Sequence, residues 1–319
     1  MKILGTGSSL PQKIVSNDDL AQVMDTSDEW ISSRTGIRNR HIAVEETTTS
    51  MSVDAAKKAL ADAAVAAEEI DLIIAATVSS DYIFPTLACE VQAAIGAVNA
   101  TAFDIGAGCS GFLFALATAD AYFATGQCRK ALILGAETLS KMMDWSDRST
   151  CVLFGDGAGA AVLSAEGGQL LSMVQGSDGS GGMALKCENR PVRNLYRQGA
   201  LAHYAFTEMN GSEVYKFAVR TVPKAISEAL TKANVSEDEV SIYLLHQANL
   251  RIIESVAKRL HQPMEKFPTN LEECGNVSAA SVPILLDKVR KDGMIGKGDK
   301  IVLAGFGAGL TWGACVIEW

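Results

Sequence analysis

The chain repeats itself. Slid along its own sequence by 170 residues, Val65-Ala-Ala-Glu-Glu69-Ile70-Asp-Leu72 falls on Val235-Ser-Glu-Asp-Glu239-Val240-Ser-Ile242, Gly126 on Gly296, Lys130 on Lys300 and Gly135 on Gly305. Each half reads as helix, acidic turn, strand, loop, helix, glycine stop, strand. Apolar β-rich runs (Asp71 to Val78, Ala131 to Leu134) alternate with amphipathic stretches (Met51 to Ala67), the pattern of an α/β fold. The expectation is two pseudo-symmetric α/β halves, residues 1–168 and 169–319, packed as one unit. No Pro/Ser-rich linker separates them, and Gly176 to Gly182 is short enough to be a loop or a hinge.

Composition narrows the partners. A balance of 28 Lys plus Arg against 37 Asp plus Glu gives 319 residues a net charge of −9, which argues against general nucleic-acid binding. An anionic partner then has to meet a local basic patch. No apolar run reaches the ~18 residues of a membrane span, and Met1 to Pro11 lacks the apolar core of a secretory signal. Seven cysteines, odd in number and without a CxxC pair, fit neither a zinc site nor a closed disulfide set. A reducing cytoplasm is the expected home.

Three segments carry chemistry. Phe103-Asp-Ile-Gly-Ala-Gly-Cys109-Ser-Gly-Phe112 runs from a strand through a glycine turn into a helix, which puts Cys109 at the helix N-terminus. There the macrodipole and free N–H groups favour a thiolate and stabilise an oxyanion. His246 follows the strand pattern Ser241 to Leu245, at a strand end where α/β sheets bind ligands. Asn276 lies in Cys274-Gly-Asn-Val-Ser-Ala-Ala-Ser-Val-Pro283, which the 170-residue offset lays over the Cys109 loop. Alone, a histidine is as often structural as catalytic, and Gly-Asn is a turn signal. Gly155 to Gly159 lacks the P-loop ending and reads as a tight turn that lets elements pack closely.

Together these segments closely resemble β-ketoacyl-acyl carrier protein synthase III, a family with the thiolase fold. The resemblance spans the chain, through Asp25-Thr-Ser-Asp-Glu-Trp30, Arg34-Thr-Gly-Ile-Arg38, Asp147-Arg148, Phe154 to Gly159 and Gly305-Phe306-Gly-Ala308-Gly-Leu-Thr-Trp312. It implies that Cys109 takes an acyl group from acyl-CoA and that His246 and Asn276 stabilise the enolate formed as malonyl-acyl carrier protein loses carbon dioxide. Phe306 would keep the carboxylate's surroundings apolar, and Ala308, where many relatives carry Gly, would still supply a backbone N–H. No cofactor is implied, because CoA is a substrate.

The resemblance also implies that Trp30 and Arg148 sandwich the CoA adenine and that Arg34 and Arg251 approach its phosphates and pantetheine. Read without it, Arg34, Arg38, Arg40 and His41 form a solvated basic turn. An acidic carrier protein needs a basic patch, for which Lys216, Arg251, Lys258 and Arg259 are the candidates. The resemblance further implies a homodimer, the usual state of the family, in which the partner lines the acyl pocket with the residue at Phe84. A starter synthase of secondary metabolism, or a non-catalytic relative that binds acyl carriers, would share much of this sequence; retention of Cys109, His246 and Asn276 argues against the latter.

Overall fold

A computed structural model describes residues 1–190, 192, 196 and 205–319; His203 lies outside the described residues. Strands β1 (Lys2–Ser9), β2 (Leu72–Ala76), β3 (Thr101–Ile105), β4 (Lys130–Thr138) and β5 (Asp156–Ser164) form one sheet in the order β1-β5-β4-β2-β3. Strands β6 (Leu170–Ser177), β7 (Val240–Leu245), β8 (Lys300–Gly307) and β9 (Thr311–Glu318) form a second in the order β6-β9-β8-β7. In the first, β5 is antiparallel to β1 and β4, and β4 is parallel to β2. In the second, β9 is antiparallel to β6 and β8, and β8 is parallel to β7. Order and sense therefore repeat strand for strand. Among the described residues, β3 is the one strand of these two sheets without a counterpart: 170 residues on, Leu271–Cys274 forms a short helix.

Strands β2, β4, β5 and β8 are buried along nearly their whole length because both faces of each sheet are covered. Seven helices matter here: α1 (Asp28–Thr35), α2 (Thr48–Ala63), α3 (Leu87–Ile95), α4 (Gly111–Ala124), α5 (Gly211–Ala233), α6 (Leu250–Arg259) and α7 (Ser281–Lys291). Leu72 and Ile74, with Ile242 and Leu244, turn inward onto Phe112, Leu116, Leu285 and Leu286 of the central pair α4 and α7. The alternate residues turn outward: Ile73 and Ala75 meet α2 and α3, while Tyr243 and Leu245 meet α5 and α6. The result is a five-layer α/β thiolase-like architecture with two helices buried between two sheets. Among the described residues no helix is long and apolar enough to cross a membrane.

Local signals explain the repeats and correct their edges. Helix α2 starts ahead of the expected Met51 because Thr47 and Ser50 form a capping box, and it stops at Ala64, left-handed at φ 52°. Asn234, at φ 54°, stops α5 in the same way. Each stop leads to a single acidic 3-10 turn whose last Glu pairs with a strand lysine, Glu69 with Lys130 and Glu239 with Lys300. Gly126 and Gly296 are not true equivalents. The residue that turns the chain after α7 as Gly126 (φ 71°) does after α4 is Gly293 (φ 69°), because α7 is shorter. Gly155 to Gly159 is not a turn either, since it enters β5. Close packing is what its glycines serve: a Cβ on Gly159 would stand 2.7 Å from the Ile284 backbone nitrogen of α7.

Candidate active site

Strand β3 ends at Ile105, and the turn that follows passes through Gly108 at φ 51° before Gly108–Ser110 leads into α4. Cys109 therefore sits at the head of a buried helix, 9% exposed, on the wall of a cavity of about 980 Å³. The glycine loop after β8 closes over it, since a Cβ on Gly307 would lie 2.4 Å from the Cys109 nitrogen and one on Gly108 2.9 Å from the Ala308 nitrogen. Thr311 pins the two loops together, its Oγ1 2.7 Å from Ser110 Oγ and 3.0 Å from the Ala107 and Ala308 carbonyl oxygens, either of which can take its one proton. The expectation of a thiolate at rest is corrected. Burial pushes the Cys109 thiol up to about 12, and the nearby Glu137 charge adds to that, so the sulfur holds its proton.

His246 leaves the end of β7 with its N–H donated to the Ala304 carbonyl at 2.8 Å. Gly305 separates it from the nucleophile: a Cβ there would lie 3.6 Å from His246 Cβ and 3.7 Å from the Cys109 carbonyl. Burial depresses His246 to about 3, so the ring is neutral. Its Nδ1 is buried with no partner among the described residues. Phe306 stands edge-on to the imidazole, 5.4 Å between centroids, and shields it from solvent.

Asn276 is held by a two-bond bridge to the backbone around Phe154, its N–H donating to Leu153 O at 2.9 Å and its carbonyl accepting the Gly155 N–H at 3.0 Å. Its side-chain oxygen accepts the Ser278 N–H at 2.9 Å. A backbone N–H requires an acceptor, so the amide's NH₂ is the end left for a ligand. Ser278 also hydrogen-bonds the Cys109 side chain and donates to Glu137 at 3.1 Å. Arg40 corrects the reading of a solvated basic turn. It is wholly buried, donating to Asn17 and to the Val15 and Val152 carbonyls beneath the Asn276 bridge.

The rim is basic. Arg251 reaches from α6 to the Ser33 carbonyl of α1 at 2.7 Å, beside Asn249, which donates to the Arg34 carbonyl. The Arg34 and Arg148 guanidinium groups both lie over the Trp30 ring, 4.8 and 5.0 Å from its centroid. That differs from an open sandwich: a flat ring between Trp30 and Arg148 needs roughly 7 Å, two van der Waals spacings. Lys216 on α5 and Arg251, Lys258 and Arg259 on α6 are exposed on two packed helices. Arg220 and Lys224, four and eight residues beyond Lys216, continue its exposed stripe. Phe84 is 83% exposed and borders the cavity with Tyr82 and Ile83. Among the described residues no group of His, Cys, Asp and Glu is placed to hold a metal.

Residues 103–179 match the family described as 3-oxoacyl-[acyl-carrier-protein] synthase III, and residues 230–319 match its C-terminal family. The β-ketoacyl-[acyl-carrier-protein] synthase III of Clostridium novyi is 47% identical over 320 residues, covering 100% of this chain and 99% of that one. The chain belongs to the β-ketoacyl-acyl carrier protein synthase III family. The crystal structure of the Aquifex aeolicus synthase III superposes with a TM-score of 0.93 at 45% identity, covering 100% of this chain and 99% of that one. A priming β-ketosynthase of the R1128 polyketide pathway reaches the same TM-score at 35% identity, over 99% and 95% of the two chains.

Within this synthase III framework, sequence reasoning missed Glu137, Ser278, Thr311, Arg220 and Lys224. One signal was available for Ser278: the 170-residue offset lays it on Gly108, a position whose backbone favours glycine.

Proposed function

We propose that Cys109, His246 and Asn276 run the two half-reactions of an initiating condensing enzyme of type II fatty-acid synthesis. Cys109 takes an acyl group from acyl-CoA as a thioester. The acyl-enzyme then condenses with malonyl-acyl carrier protein as carbon dioxide leaves. The observation that carries this reading is convergence. Cys109 is shared by the two contact chains just described, one through Gly305 to His246 and one through Ser278 to Asn276. The neutral imidazole and the free end of the Asn276 amide are then two uncharged donors for the enolate oxygen. Phe306 lowers the polarity around the departing carboxylate, and the Ala308 N–H serves the oxyanion of acyl transfer.

Trp30, Arg34, Arg148 and Arg251 form the CoA mouth, with Arg148 moving off Trp30 to admit the adenine. Lys216, Arg251, Lys258 and Arg259, extended by Arg220 and Lys224, form the carrier-protein face. A second copy covers the exposed Tyr82 to Phe84 segment, making a homodimer, and the halves divide at 168/169 between β5 and β6. The location is cytoplasmic.

The likeness to the R1128 priming ketosynthase supports a second reading, a starter synthase with a larger primer. One experiment tests both. Wild type and Cys109→Ser are incubated with acyl-CoAs of increasing length and branching, and the intact mass is recorded. The wild type gains one acyl mass and the variant gains none, since a serine hydroxyl is far less ionised. Acylation by acetyl-CoA supports the fatty-acid role, and acylation by long primers alone supports the second. Wild-type labelling of Cys109→Ser would remove Cys109 as nucleophile.

A further inference from the structure

Glu137 is wholly buried on β4, and nothing in the chemistry above uses it. One carboxylate oxygen, Oε2, is fully engaged: it accepts Ser79 Oγ at 2.5 Å, the Val78 N–H at 3.1 Å and Thr77 Oγ1 at 3.3 Å. The other, Oε1, accepts only the Ser278 hydroxyl among the described residues, at 3.1 Å. A serine has one proton to donate, so Ser278, giving it to Glu137, keeps its lone pairs for the Cys109 thiol, which lines the same cavity wall.

Ser278 holds this place against its own backbone. Its φ is +46°, a left-handed conformation strained for a residue with a Cβ, and the equivalent position in the first half is Gly108 at φ +51°. A side chain is therefore kept where the fold's own pattern has none.

We infer that Glu137 is a positioning residue acting through Ser278, which together carry the Cys109 proton while the primer is transferred. The inference rests on Cys109 being the acylated residue. In the step, the Cys109 S–H proton passes to Ser278 Oγ as the Ser278 proton passes to Glu137 Oε1. The sulfur bonds to the primer carbonyl carbon, the carbon–sulfur bond to CoA breaks, and the proton returns along the same path to the CoA thiolate. Atoms and charge balance without another reactant. The site holds one negative charge, on Glu137 before the step and on sulfur during it, because two adjacent buried anions repel.

The proton affinity of Glu137 suits the role. Burial raises its carboxyl to about 7, where a base both accepts and returns a proton near neutrality. Of the groups facing it, Cys109 titrates, while Ser278, Thr77, Ser79 and the Val78 N–H do not. Further along the same loop Asp81 is paired with Lys141.

The test is Glu137→Gln, which keeps shape and hydrogen bonding but cannot take the proton. Acetyl transfer from acetyl-CoA is quenched at short times across pH 5.5 to 9 and read by intact mass; decarboxylation of a malonyl thioester is measured separately. Acylation at pH 7 falls roughly 100-fold, the wild-type inflection near 7 disappears, and decarboxylation changes far less. Glu137→Asp restores part of the rate with an inflection, and Ser278→Ala reproduces the loss. Should Glu137→Gln fail to fold, Ser278→Ala carries the same readout. Acylation within about threefold of wild type with the inflection intact overturns the proposal, as does an equal loss in both half-reactions. A wild type that takes no acyl mass defeats the Cys109 reading instead.

Discussion

The two halves agree where they build the fold and disagree where they build the site. Ala64 and Asn234 end equivalent helices in the same left-handed conformation, and Glu69–Lys130 is repeated as Glu239–Lys300. At the tips of the central helices the pairs diverge: Cys109 faces its counterpart Ala279, His246 answers Ala76, Asn276 answers Gly106, Ser278 answers Gly108 and Glu137 answers Gly307. In each pair one member carries a reactive or hydrogen-bonding group, and the other is alanine or glycine. Chemistry on one side needs room on the other, as when Gly307 lets its loop pass directly over Cys109. A pseudo-symmetric frame thus holds one active site rather than two.

The largest stability effect comes from the Glu137–Gly307 pair. Folding raises the Glu137 carboxyl from 4.5 to about 7, so the folded state binds its proton more tightly than the unfolded chain. That contribution is present in full below 4.5, declines as pH rises, and is lost once pH passes about 7. His246 has the opposite sign, its contribution being present above 6.5 and lost as pH falls toward about 3, but it is common to wild type and variant. Relative to wild type, Glu137→Gln therefore gains on the order of 2–3 kcal/mol between pH 4.5 and pH 8. Urea unfolding at both values checks this, and a difference that stays flat with pH would place the Glu137 titration outside that window.

A smaller effect separates Ala64 from Asn234. Alanine is strained at φ 52°, whereas asparagine tolerates the left-handed region. Ala64→Gly is expected to stabilise by about 1 kcal/mol and Asn234→Gly by close to nothing. Equal shifts in the urea midpoint would mean that the two stops are not energetically distinct.

Much of this was legible from the sequence because it is written in local chemistry. The apolar strand at Leu72, the strand pattern of Ser241 to Leu245, the glycine turn before Cys109 and the 170-residue echo each reflect a requirement that a short segment must meet by itself. Burial was not legible in this way. Arg40 looked like part of a solvated turn because nothing in its own neighbourhood reveals that the Val152 carbonyl, 112 residues on, accepts its hydrogen bond. The Cys109 thiol looked acidic because a helix N-terminus is a local signal, while the burial that opposes it comes from the loop at Gly307, in the other half, passing over it. Glu137 was invisible for the same reason, lying 141 residues from the hydroxyl that gives it meaning.

The central claim is a division of labour between Cys109 on one half and His246 with Asn276 on the other. His246→Ala and Asn276→Ala each remove one donor aimed at an oxygen that becomes charged only in the decarboxylative step, a loss of roughly 100-fold or more in that step. With acetyl-CoA and radiolabelled malonyl-acyl carrier protein, acylation is followed by intact mass and carbon dioxide release by counting. Both variants should still gain one acetyl mass while carbon dioxide release falls by that factor. Loss of acylation with full carbon dioxide release would contradict the account and make His246 the base that activates Cys109.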